Sequence, residues 1–122
     1  IESTSAFNVE ENVRNMFREL DDFPDIIICL SDINTRAVYQ SIVDRNKVGE
    51  TTIIGYFDSD TVLRAIERGA VYATITVDTK QMATRSVDAL NEYISSGNVS
   101  EYFSADYILI NKDNVSDYLQ ED

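Results

Sequence analysis

Short, strongly apolar runs alternate along this chain with longer stretches in which apolar residues recur at helical spacing. That alternation constrains the fold more than any other feature. The runs are IIICL at 26–30, TIIGYF at 52–57, ATITV at 73–77 and YILI at 107–110. Rich in β-branched residues and continuous in apolar character, they read as strands buried on both faces. Between them, Val13, Met16, Phe17 and Leu20 predict a helix over 9–20, with Asn8 as its N-cap and Glu11 three residues on, as in a capping box. Pro24 then breaks the chain. Ala37, Val38 and Ile42 predict a helix over 33–46, closed near Gly49, and Val62, Leu63 and Ile66 a shorter one from Asp60 to Gly69. The longest helix is expected over 79–96, with Met82, Val87, Leu90, Tyr93 and Ile94 on its apolar side and Gly97 past its end; Val115 to Leu119 read as a terminal helical turn. This order predicts an α/β fold, a parallel sheet with helices on both faces joined by right-handed crossovers.

Only four Gly and one Pro punctuate the 122 residues, so no linker divides them and 1–122 read as a single domain. Ten Lys and Arg against 22 Asp and Glu leave a formal charge of −12, with no His. A surface this acidic repels phosphate backbones and anionic headgroups, which excludes nucleic acid as a partner of this segment and binding to a membrane by charge. Imidazole bases and imidazole metal sites are excluded as well. A lone Cys29 makes neither an intramolecular disulfide nor a multi-thiolate site, and its apolar surroundings predict a buried, inert thiol. No run approaches the roughly 18 apolar residues of a membrane span, so direct membrane insertion is not expected. The chain opens at Ile1 rather than Met, and the expectation is a processed or excised piece of something longer.

In an open parallel α/β sheet, ligands meet the crevice beyond the carboxyl ends of the strands. Ser31, Asp32 and Asn34 follow the first strand here, Asp58 the second and Asp78 the third. Three successive strands thus deliver a carboxylate to one edge, and an acceptor that takes two hydrogen bonds suits the vicinal hydroxyls of a sugar or polyol. The competing reading is helix capping, which weighs most at Asp78. Clustered carboxylates also suit Mg²⁺ or Ca²⁺, but no calcium-loop pattern occurs, nor a phosphate-cradling Gly-rich loop, a GxSxG elbow or a CxxC pair. No catalytic residue, metal or cofactor is therefore expected. Tyr56 and Phe57 sit where rings would stack on a sugar, although their place in a strand predicts core. FPDIIICLSDINT (23–35) has the look of a receiver-domain phosphoacceptor strand, but Asp21 and Asp22 precede the strand and Lys112 is a poor match to the late lysine.

PDIIICLSDINTRAV (24–38), TIIGYFDSDTVLRAIERGAVYATITVDTKQMA (52–83), SVDAL (86–90) and YILINKDNVSDYL (107–119) together resemble the C-terminal half of type I periplasmic sugar-binding proteins. That superfamily includes the solute-binding proteins of sugar ABC transporters and the sensing domains of LacI-type repressors. The resemblance covers about 20–120. It implies part of a C-terminal lobe, non-enzymatic binding of a sugar or similar polar solute, an ABC permease as partner of the full-length parent, and an extracellular or periplasmic location. The alternative is the effector-sensing domain of a LacI-type regulator, which would be cytoplasmic. The family's polar–Asp pair maps onto Ser31 and Asp32, with Ser where Asn is usual, and its GxD aspartate maps onto Asp58. Val77 stands where a hinge Gln is expected and Ala83 where Gly commonly follows Met, so Asp78 would carry some of the missing Gln's role. The resemblance further implies that the helix over 79–96 packs on an amino-terminal lobe absent from this sequence or on a partner chain. Its apolar stripe then predicts self-association of the 122-residue chain.

Overall fold

In a computed structural model that describes residues 5–100 and 102–119, the elements follow the expected order. They are α1 (Ala6–Glu19), β1 (Ile26–Ile28), α2 (Asp32–Asp44), β2 (Thr52–Tyr56), α3 (Asp60–Glu67), β3 (Ala73–Val77), α4 (Thr79–Ser96), β4 (Tyr107–Asn111) and a 3₁₀ turn, Val115–Asp117. The four strands form one sheet in the order β1-β2-β3-β4. β1 pairs with β2 in parallel, Ile27 opposite Ile53, and β2 with β3, Gly55 opposite Thr74. The Asp78 N–H donates to the Asp106 carbonyl at 2.9 Å. The carboxyl end of β3 therefore meets the amino end of β4, and β4 runs against the other three.

The described chain divides into two compact units, 1–75 with 109–122, and 76–108. In the first, α2 packs against α1, β2 and α3. Its inner side carries Thr35, Ala37, Val38 and Ile42, all buried. They meet the sheet face that bears Cys29, Ile53, Gly55 and Thr74. β1, β2 and β3 are neighbours in chain order, so two right-handed crossovers running the same way place α2 and α3 on the same side of the sheet. The opposite side is open within this unit: Ile26, Ile28 and Leu30 are 59%, 65% and 80% exposed. Burial on both faces, expected for the run 26–30, is thus met on one face only, and the apolar character of the other needs a different explanation.

Two local expectations are corrected. Ser5, not Asn8, caps α1: its hydroxyl accepts the Asn8 N–H at 3.3 Å, so the helix begins a turn earlier than the apolar spacing implies. β1 ends at Ile28 rather than Leu30, although the Cys29 N–H still donates to the Ile54 carbonyl at 2.9 Å. β3 and α4 have the expected bounds. Gly97 closes α4 at φ +74, a left-handed conformation that costs glycine nothing and a residue with a Cβ about 1–2 kcal/mol.

Cys29 is buried, and that burial pushes its thiol up from 9.0 to about 11, with a Thr35 hydrogen bond pulling weakly the other way. The unfolded chain ionises this thiol first, so stability is unaffected below about pH 9 and falls as the pH rises from about 9 towards 11. Urea midpoints for the natural chain and Cys29→Ala are expected to converge over that window; parallel curves would show that Cys29 titrates as it does unfolded.

Candidate functional site

The carboxyl edge of β1 and β2 is organised by one hydroxyl. Thr35, fully buried in the first turn of α2, donates its Oγ1–H to the Ser31 carbonyl at 2.8 Å and accepts the Tyr56 N–H at 3.1 Å. This ties the loop after β1 to the end of β2. Thr74 does the same from β3, donating to the Phe57 carbonyl at 2.7 Å, while the Phe57 N–H donates to Ile75 at 2.8 Å. Held by β3 at both its carbonyl and its N–H, Phe57 adopts φ +79, which is rare for a bulky residue, and it is 44% exposed. Phe57 lies past the end of β2 and outside the core, contrary to the reading as a strand residue facing inward.

Around this frame Asp32, at the start of α2, is half-buried and doubly held. Its Oδ1 accepts the Ser59 hydroxyl and its Oδ2 the Arg36 Nε–H at 2.9 Å. The first bond crosses 27 residues of sequence and sets Asp32 against the residue that follows Asp58. Asp58, half-buried as well, precedes the Ser59 N-cap of α3 and so is not itself the cap. Each Asp32 oxygen keeps acceptor capacity beyond these bonds, because an ionised carboxylate offers about four lone-pair sites. Ser59, Thr35 and Arg36 escaped the sequence reading. Arg36 was legible as an i, i+4 partner of Asp32, whereas nothing local marks Ser59.

The remaining expected residues are placed differently. The Ser31 hydroxyl accepts the Asn34 N–H at 3.2 Å and caps α2. Asn34 itself lines an apolar groove of about 210 Å³ beside Met16, Ile27, Leu30 and Val38, along the open edge of β1. Asp78 belongs to the second unit, where its Oδ1 accepts the Gln81 N–H at 2.8 Å and caps α4. The neighbouring Gln81 side chain donates to Asp106 Oδ2 at 3.0 Å and accepts the Asp106 N–H at 2.6 Å. Ser31, Asp32, Asn34 and Asp58 are thus brought to one end of the first unit, with Asp32 and Asp58 linked through Ser59. A concavity of about 420 Å³ lies at the other end, between Thr51, Ile53, Tyr72 and Lys112, away from these carboxylates. Among the described residues no three His, Cys, Asp or Glu side chains gather as a metal site would require. No described helix is long and apolar enough to cross a membrane.

Polar side chains at the carboxyl edge of an open α/β sheet stand where such sheets commonly meet small ligands. Comparison with known proteins narrows the fold. No family model and no curated protein matches the sequence. Among solved structures, a mutant of the XylFII–LytSN complex matches with 26% identity over 94% of this chain and 41% of that one, at a TM-score of 0.73. GanP, a glucose-galactose binding protein from Geobacillus stearothermophilus, matches with 16% identity over 91% of this chain and 39% of its own, at 0.81. The Caulobacter myo-inositol binding protein matches with 22% identity over 92% and 38%, at 0.72. The chain therefore has the fold of part of a type I periplasmic sugar-binding protein. It spans about two fifths of the length of the structures it matches.

Proposed function

We propose that this chain is the C-terminal part of the solute-binding protein of a sugar ABC transporter. It would bind a sugar or similar polyol without chemical turnover, in the periplasm or at the cell exterior. The observation that carries this reading is the Asp32–Ser59 bond, which holds two strand-end carboxylate positions together where a ligand meets such a sheet. Asp58 and Asp32 accept hydroxyl hydrogen bonds, the Ser31 hydroxyl caps α2 through the Asn34 N–H, and Asp78 sits just past the carboxyl end of β3. The rest of a longer polypeptide covers the open face at Ile26, Ile28 and Leu30 and supplies the second half of the cleft. Closure around the solute then excludes water and gives a membrane permease a shape to read. Nothing in the named matches favours the LacI-type alternative.

The test is calorimetric titration of the longer polypeptide carrying this sequence with ribose, D-allose, glucose, galactose and myo-inositol. One of these should bind, and Asp58→Ala should weaken it by about 10- to 100-fold, the loss expected for a hydrogen bond to a charged group. Unchanged affinity would remove Asp58 from the site. The 122-residue chain alone is expected to bind the same sugar weakly or undetectably, because half a cleft leaves most of a ligand in water.

A further inference from the structure

Five described residues adopt positive φ. Gly49, Gly69 and Gly97 do so without cost, and the short polar side chain of Asn46 tolerates it. Phe57, at φ +79, is the exception. A bulky residue persists in this conformation only where its surroundings impose it, and such positions cluster at ligand clamps and other functional sites. Here β3 imposes it: Thr74, itself fully buried, donates to the Phe57 carbonyl, and the Phe57 N–H donates to the Ile75 carbonyl. Burial does not offset the strain, because Phe57 stays exposed past the end of β2. The next residue in the chain is Asp58, and Ser59 after it donates to Asp32. An exposed aromatic residue, a half-buried carboxylate and the hydroxyl that fixes a second carboxylate thus follow one another at the edge where an α/β sheet meets its ligands.

We propose that Phe57 is a specificity-determining residue, a platform for the C–H face of a cyclic sugar or cyclitol whose hydroxyls donate to Asp58. A ring sugar is amphipathic: its hydroxyls radiate from the rim, while C–H groups gather on a face. An acyclic polyol in water holds no such face. An aromatic side chain covers the apolar face and a carboxylate accepts from the rim, so the pair reads both halves of one ring. The Phe57 backbone is pinned by β3 before any ligand arrives, which leaves little freedom to lose on binding. This inference rests on the sugar-binding reading above and narrows its ligand to the ring form.

The test uses the longer polypeptide carrying this sequence and the sugar of the panel above that it binds best. Phe57→Gly, whose new residue suits φ +79, should keep the melting midpoint of the sugar-free protein within a few degrees. It should weaken the sugar by about tenfold or more, the effect of uncovering roughly 50–60 Å² of apolar surface. Phe57→Tyr keeps the aromatic face and should stay within about threefold. Tyr72→Leu, at an exposed aromatic residue beside the concavity at the other end of the unit, should stay within about twofold. In proton NMR the C–H resonances of the bound sugar should move upfield under the ring current, and Phe57→Gly should abolish that shift. Unchanged affinity in Phe57→Gly would overturn the proposal and leave the sugar-binding reading standing, and so would a loss of affinity where the natural complex shows no upfield shift. A midpoint lowered by more than a few degrees with unchanged affinity would overturn it as well, since that marks a ring packed under another segment. No binding of any sugar by the natural protein would overturn both.

Discussion

Gly55→Ala is expected to destabilise the first unit by about 1–3 kcal/mol, the usual cost of forcing a methyl into a filled space. A Cβ at Gly55 would lie 2.6 Å from Thr35 Cγ2 and 3.2 Å from Thr74 Oγ1. Neither neighbour has room to retreat. Both threonines are fully buried, and their hydroxyls are bonded, Thr35 to Ser31 and Tyr56, Thr74 to Phe57. The damage would therefore fall on the bonds that set the carboxyl edge of the sheet. Thr35→Ser removes the offending methyl and keeps the hydroxyl, so Gly55→Ala/Thr35→Ser should recover most of the loss, with a coupling of roughly 1 kcal/mol or more in a double-mutant cycle. Urea unfolding of the four proteins reads this directly. Additive single effects would mean that the clash is relieved elsewhere, and that α2 does not press on β2 as closely as 2.6 Å implies.

Ile42→Ala should cost more, about 2–5 kcal/mol, because it combines lost burial with the cavity left behind. Ile42 is 1% exposed on the inner side of α2, the helix that packs against α1, β2 and α3 together. Where total stability is only about 5–15 kcal/mol, such a loss brings the melting transition well down the temperature scale. Its neighbour on the same helix makes the control. Val43 is 40% exposed, and Val43→Ala is expected to stay within about 0.5 kcal/mol of the natural chain. Equal effects at the two positions would mean that α2 is not the centre of the core.

Much of the fold was legible because it is written locally. Every helix and strand was expected in its place and order, and β3 and α4 to the residue, since periodicity and a closing glycine are properties of consecutive residues. The start of α1 was misplaced because a cap depends on which of two polar residues, Ser5 or Asn8, leaves the helix first, and apolar spacing does not report that. The run at 26–30 was misjudged for a different reason. Its composition asks for burial on both sides, but which side is covered depends on where α2 and α3 cross, hence on the order of the strands.

The candidate site divides along the same line. The sequence by itself determined that acidic and amide side chains follow three strands and that the chain lacks His, paired Cys and a phosphate loop. It also determined the apolar side of the longest helix, Met82, Val87, Leu90, Tyr93 and Ile94, because position on a helix follows from counting residues. Only the tertiary structure decided that Asp32 is clasped by Ser59 from 27 residues away, and that Phe57 is held outside the core at φ +79 by Thr74 and Ile75. Those outcomes rest on contacts between segments distant in the chain. A residue type fixes what its side chain is able to bond, while the partner it finds is set by the packing of strands and helices that bring remote positions together.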